Sequence, residues 1–173
     1  ATHRDDPTLT LIAAVSGLAM GGGFELALGC DMIIASTKCF FALPEPKIGM
    51  AAATGGVQML TRAIGPKRAM APIMTGRNIT AEEGYRLGFV TEVAEPEKLL
   101  EVAMGYAREI AANAPLANAA NKQTIYECWD QPDHATMMKQ ETYSRALPAL
   151  LSEDAKEGIA AFLEKRKPNW QGK

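Results

Sequence analysis

Hydrophobic and polar positions divide the chain into two differently patterned stretches. Leu9 to Val15 is an apolar run rich in β-formers, the pattern of a strand buried on both faces. Ser16-Gly17 breaks it, Gly21-Gly22-Gly23 follows, and Phe24 to Cys30 has helical spacing with Phe24, Ala27 and Leu28 on one stripe. Asp31 to Ala35 predicts a second buried strand and Cys39 to Leu43 a third. Strand, glycine turn, helix, strand is the grammar of a βαβ unit, so the pattern predicts an α/β fold with a parallel sheet.

From Gly55 the spacing turns helical. Val57 to Ile64 stops at Gly65-Pro66, and Lys67 to Thr75 stops at Gly76. Thr80-Ala81-Glu82-Glu83 has the form of a capping box and opens a short helix ending at Gly88. Phe89 to Val93 alternates like a strand. Pro96 suits the first turn of a helix through Ala112, with Leu99, Leu100, Val102, Ala103, Tyr106 and Ile110 as its buried stripe. Three more helices are predicted, over Pro115 to Trp129, Ala135 to about Leu151, and Ser152 to Arg166; the last opens on a Ser N-cap followed by two acidic residues. The division predicted is an α/β part over 1–113 and a helical part over 114–173.

Composition narrows the class. The 173 residues are 47% hydrophobic and 22% charged, as in an ordinary globular protein. Eighteen basic against twenty acidic residues give a net charge of -2, so there is no basic excess to bind a phosphate backbone and no nucleic-acid partner is expected. The longest nearly uncharged stretch, Pro7 to Phe24, carries Thr8, Thr10, Ser16 and four glycines, a poor membrane span, so no membrane partner is expected either. Three cysteines without CxxC spacing argue against a disulfide framework or zinc site and for a reducing compartment, the cytoplasm. His3 and His134 are isolated, so no metal site is expected. The Ala1-Thr2-His3 start has no initiator Met and no signal-like segment, which suggests a piece of something longer.

Candidate chemistry gathers where glycines meet helices. Three glycines between a strand and a helix serve either as a tight turn or as backbone N–H groups aimed at an anion or a developing oxyanion. The spacing is neither GxGxxG nor GxxxxGK[ST], which excludes dinucleotide and P-loop readings. Glu25 follows the glycines inside an apolar segment, and Glu45 follows the strand ending at Leu43. Carboxylates leaving successive strands of a parallel sheet emerge at its carboxyl edge, where such folds place ligands. If the two converge, their environments can divide an acid role from a base role. The competing reading pairs each with a basic neighbour, Lys47 or Arg62. The methionines are expected to serve as adaptable packing, and Gly55-Gly56 as a structural turn. Lys165-Arg166-Lys167 is either a solvated helix end or a phosphate contact.

Ile12-Ala13-Ala14-Val15-Ser16-Gly17, Gly21-Gly22-Gly23-Phe24-Glu25-Leu26-Ala27-Leu28 and Asp31 together resemble the signature of the crotonase (enoyl-CoA hydratase/isomerase) superfamily. Phe41-Ala42-Leu43-Pro44-Glu45, Gly49, Gly55-Gly56, Thr75-Gly76-Arg77 and the ending from Ser152 to Arg166 continue the resemblance over nearly the whole chain. Within the superfamily, Gly23-Phe24-Glu25 with Phe41 to Glu45 is similar to the carnitinyl-CoA dehydratases.

The resemblance implies a ββα spiral core, here without its N-terminal part, and a C-terminal helical oligomerisation region. It implies a hydratase or dehydratase that adds or removes water across the C2–C3 double bond of an acyl-CoA thioester, with no cofactor because CoA is part of the substrate. Enoyl-CoA isomerisation and a non-catalytic acyl-CoA-binding or assembly role are the alternatives. Gly22 matches the glycine whose N–H forms half of the oxyanion hole. Glu25 and Glu45 match the two glutamates that hold the reacting water. Phe162 and Lys165 match positions that approach the CoA of an adjacent subunit in a homotrimer or a dimer of trimers. Family members carry roughly ninety more residues ahead of the first strand, including the second oxyanion N–H, so this stretch alone is expected to be inactive. Where hydratases usually have Pro-Gly-(Ala/Ser)-Gly-Gly, this chain has Ala52-Ala53-Thr54-Gly55-Gly56.

Overall fold

The structure, a computed structural model, describes residues 6–129, 133–137 and 146–173. The chain forms two units, Leu11–Tyr106 in one and residues 6–10 with Ala107–Lys173 in the other.

In the first unit strands come in pairs ahead of helices. β1 (Ile12–Val15) and β2 (Leu18–Met20) precede α1 (Gly22–Leu28); β3 (Met32–Ser36) and β4 (Phe40–Ala42) precede a 3-10 turn (Glu45–Ile48), α2 (Gly56–Ile64) and α3 (Pro66–Thr75). β5 (Ile79–Thr80), α4 (Ala81–Leu87), β6 (Glu92–Ala94) and α5 (Leu99–Ala111) follow. The short break at Ser16-Gly17 passes the chain from one sheet to another. β1, β3 and β6 form an all-parallel sheet, while β2 runs parallel to β4, which pairs antiparallel with β5. Each strand pair thus places one strand in each sheet, which is the ββα repeat that the resemblance implied.

The single parallel sheet predicted from hydrophobic pattern is therefore two sheets, because β2 escaped notice. Leu18-Ala19-Met20 is three residues long with only Ala19 buried, too short for a period to show. Phe89 and Val90 are not strand but core: their N–H groups donate to Gly84 O, and the missing side chain of Gly84 admits the Phe89 ring. Thr80 caps α4 as predicted, accepting from Glu83 N at 3.1 Å, but the Glu83 carboxylate turns to Arg77 rather than back to the cap. That bidentate contact holds Glu83 below the usual carboxylate range. α5 begins three residues after Pro96, and Leu100 is exposed; Leu99, Val102, Ala103 and Tyr106 are the residues that pack on Ile12 and Ile34.

An aromatic trio fixes the core of this unit. Phe24, Phe41 and Phe89 sit with ring centroids 5.0–5.3 Å apart, each buried. Burying one such ring contributes roughly 2–3 kcal/mol, and truncating one costs roughly 3–5 kcal/mol. Phe24 precedes Glu25 directly and Phe41 lies four residues before Glu45, so the most tightly packed side chains anchor both elements that carry the carboxylates. Of the methionines, Met59 packs against the core, whereas Met20, Met50, Met70 and Met74 are exposed, contrary to the packing role expected of them.

The second unit holds α6 (Pro115–Trp129), α7 (His134–Met137), α8 (Ala146–Leu150) and α9 (Glu153–Glu164). The helix expected from Ala135 to about Leu151 falls partly on 138–145, outside the described residues, as does His3. Ser152 caps α9 by accepting from Ala155 N at 3.0 Å. Buried Asp154 ties down the tail: its two oxygens accept from Gln171 N at 2.7 Å and Gly172 N at 2.9 Å. The Trp170 indole N–H donates to Ala112 O, and its ring lies where Gly158 has no side chain. No helix among the described residues is long and apolar enough to cross a membrane.

Candidate active site

Glu25 and Glu45 leave the carboxyl ends of neighbouring strands. β2 and β4 are parallel and in register, Met20 beside Ala42, and Gly21 N donates to Ala42 O at 2.9 Å just beyond them. β2 runs into Gly21 and α1, which carries Glu25; β4 runs into the 3-10 turn, which opens with Glu45. The pattern argument had placed the pair on successive strands of one sheet, but the strand ahead of Glu25 is β2, the one that the sequence reading missed.

Gly21 is where the two elements meet. It caps α1 at φ 52°, in the left-handed region where a side chain is disfavoured, and its carbonyl accepts from Phe24 N and Glu25 N. A β-carbon there would stand 2.9 Å from Glu45 Oε1. The absent side chain is the room in which the Glu45 carboxylate lies, four residues ahead of Glu25 in the same helical turn. Gly22 and Gly23 follow with exposed backbone, and their N–H groups donate to no acceptor among the described residues.

The two carboxylates have unlike surroundings. Glu25 is buried, and its Oε1 accepts from Thr54 N at 2.9 Å and Gly56 N at 3.0 Å, at the N-terminus of α2. Helix N-termini carry unpaired N–H groups and partial positive charge, so this end of α2 suits a carboxylate. Gly56 is pressed between the partners it serves, with Glu25 Cγ 2.8 Å and Leu43 Cδ2 2.9 Å from where its β-carbon would be. Glu45 Oε2 is the opposite case, a buried acceptor with no hydrogen-bond partner. Such an atom costs roughly 1–3 kcal/mol to leave unmet, and a protonated or hydroxylic reactant would meet it.

Among the described residues, neither glutamate forms an ion pair, so the structural alternative with Lys47 or Arg62 is not the arrangement found. The Lys47 stem lies instead against Gly76. Also among the described residues, no three His, Cys, Asp or Glu side chains cluster as a metal site would require. Sequence reasoning missed the Thr54 and Gly56 N–H groups, treating Gly55-Gly56 as a turn; the signal was present in a second glycine pair opening a second helix. The Ala52-Ala53-Thr54 departure from the usual motif still supplies one of those N–H groups, since the contact is through backbone.

Phe162 and Lys165 are placed on the second unit. Phe162 is largely exposed in the last turn of α9, and Lys165 follows as its left-handed C-cap at φ 55°. Arg166 is engaged by Glu157 and Glu164 rather than open to a ligand. An apolar cavity of about 470 Å³ beside α9 is lined by Ala117, Leu150, Ile159, Phe162 and Leu163. Its carboxylate, Asp154, is consumed by the tail, so the cavity offers no acid–base pair.

The model of the family described as enoyl-CoA hydratase/isomerase matches residues 4–173. A carnitinyl-CoA dehydratase of Salmonella arizonae is 45% identical over 99% of this chain and 66% of its own length. An (E)-benzylidenesuccinyl-CoA hydratase of Thauera aromatica is 44% identical over 94% of this chain and 62% of its own. Among solved structures, an enoyl-CoA hydratase from Mycobacterium tuberculosis superposes with a TM-score of 0.91 at 43% identity, covering 97% of this chain and 66% of that one. The chain thus spans slightly less than two thirds of the length of these relatives. With strand pairs β1–β2 and β3–β4 leading into α1 and α2, two glutamates beyond the ends of adjacent strands and a family match over nearly its full extent, the chain belongs to the enoyl-CoA hydratase/isomerase family.

Proposed function

We propose that the protein containing this chain is an enoyl-CoA hydratase or dehydratase, a hydro-lyase acting on the C2–C3 double bond of an acyl-CoA thioester. The observation that carries the reading is the unlike pair of carboxylates: Glu25 with one oxygen fixed by two N–H groups, and Glu45 with a buried oxygen that has no partner. In hydration a water held between them forms a bond from its oxygen to C3 and gives one proton to a carboxylate. The C2–C3 π electrons move toward the thioester oxygen, and the pair returns to take a proton at C2 from the other glutamate, which starts as the protonated carboxyl group. Dehydration is the same path reversed. The enolate-like oxygen would be met by the N–H of Gly22, and losing one such donor typically costs ~3–4 kcal/mol of barrier. Two carboxylates serve this reaction better than isomerisation, which can proceed with one.

CoA enters as part of the substrate, and no separate cofactor is required. Phe162 and Lys165 are proposed to approach CoA held by an adjacent subunit, within a homotrimer or a dimer of trimers. A cytoplasmic setting belongs to the same proposal, on the odd cysteine count.

The test is hydration of crotonyl-CoA by the full-length protein, with Glu25→Gln and Glu45→Gln beside it. Turnover that falls at least a hundredfold in each variant is expected. Full activity in either variant would remove that residue's role, and an inactive parent that still binds acyl-CoA in calorimetry would make this a binding module.

A further inference from the structure

We propose that Gly76, remote in sequence from both glutamates, is a positioning residue for Glu45; its activity arm rests on the hydratase reading above. Gly76 is the buried C-cap of α3, held at φ 60°. A β-carbon there would lie 3.1 Å from Pro44 Cα, 3.3 Å from Leu43 O and 3.2 Å from Lys47 Cε. The lysine stem can swing aside. The other two atoms are backbone, and they belong to the two residues that lead directly into Glu45.

Both sides are held by hydrogen bonds or packing, so a clash is relieved by a small movement of backbone rather than by a side-chain rotation. The Glu45 turn is closed by Lys47 N donating to Pro44 O at 2.9 Å and Met50 N donating to Glu45 O at 3.0 Å, and its carboxylate already fills the space left by Gly21. Gly76 is fixed from behind by α3 and from ahead by Arg77, which clamps Glu83, and by Ile79, which pairs with Phe41 of β4. Any side chain at position 76 must therefore push the Leu43–Pro44 backbone by a few tenths of an ångström, and Glu45 moves with it. Displacements of about 1 Å at a reacting group can cost about a hundredfold in rate, so a shift of a few tenths of an ångström is expected to cost roughly threefold to tenfold in turnover while substrate affinity stays.

The test compares Gly76→Ala with Gly88→Ala in the full-length protein. Gly88 is also a left-handed helix C-cap, at φ 97°, but a β-carbon there meets open space, so it shares the backbone strain without the contact. For Gly76→Ala, kcat for crotonyl-CoA is expected to fall about threefold to tenfold, with KM changed less than about twofold. Gly88→Ala should lose thermal stability only. Gly76→Asn, whose side chain tolerates the left-handed region, should fold and show the same kcat loss, which covers the case in which the alanine variant does not fold. Parental kcat in a folded position-76 variant, or an equal loss in Gly88→Ala, would overturn the proposal. If the parent turns over no enoyl-CoA, the hydratase reading fails by itself. Crystal structures of the variants then decide: a Glu45 carboxylate shifted from Gly21 in the position-76 variant alone upholds the proposal, and an unmoved one overturns it.

Discussion

Glu25 and Asp154 are both acidic residues in the first turn of a helix, 7% and 2% exposed, and both meet backbone N–H groups instead of a cation. The difference is in how the oxygens are used. Asp154 gives one oxygen to Gln171 N and the other to Gly172 N, so its hydrogen-bonding capacity goes into fixing the tail. Glu25 places both N–H contacts on Oε1, and the neighbouring strand leads to Glu45, whose carboxylate lies against Gly21 with its Oε2 unmet. Burial alone does not separate a structural carboxylate from a chemical one. What differs is the buried acceptor left without a partner: none remains on Asp154, whereas Glu45, just beyond the strand next to the one that leads to Glu25, keeps one.

The largest expected effect tests the chemical half of that contrast. Glu25→Gln and Glu45→Gln should each lower kcat by about 10²–10⁴ while the protein stays folded, as read by steady-state kinetics beside circular dichroism. A large loss of thermal stability in Glu25→Gln with little change in kcat would make Glu25 another Asp154.

Gly56→Ala comes next. The added methyl would displace Glu25 Cγ and Leu43 Cδ2, so kcat should drop by about a hundredfold, with overpacking costing about 1–3 kcal/mol in denaturant unfolding. Asp154→Asn should do the reverse: one tail N–H would face an amide, costing about 1–3 kcal/mol of stability, with kcat of the folded protein retained.

The smallest effect concerns pH. Arg166 and the Asn169 N–H hold the Glu157 carboxyl at about 2, down from 4.5. A depressed carboxylate stabilises the fold fully above its unfolded value and loses that contribution as pH falls through its folded one. The tail should therefore loosen between about pH 4.5 and 2, followed through the Trp170 indole N–H resonance; loosening between pH 6 and 8 instead would assign the contact to another group.

Much of this was legible in residue order. The strands at Ile12, Met32 and Phe40 follow from apolar runs, the helices from Gly and Pro stops, and the caps at Thr80 and Ser152 from side chains that accept N–H groups three residues on. Both glutamates stood out because a carboxylate in an apolar segment needs a reason. What could not be read was β2, whose three residues carry no resolvable period, and with it the division into two sheets.

Local chemistry, which acts over three or four residues, was therefore fixed by the chain's own order: where helices start and stop, which faces are apolar, and which acids lie among apolar neighbours. The meeting of Gly21 with Glu45, of Gly56 with Glu25, and of Gly76 with Pro44 joins positions 24 to 32 residues apart. Those contacts arise only when strands pair in register and helices pack on them. Tertiary structure alone decided which glycines make room for the carboxylates and which carboxylate oxygen was left without a partner.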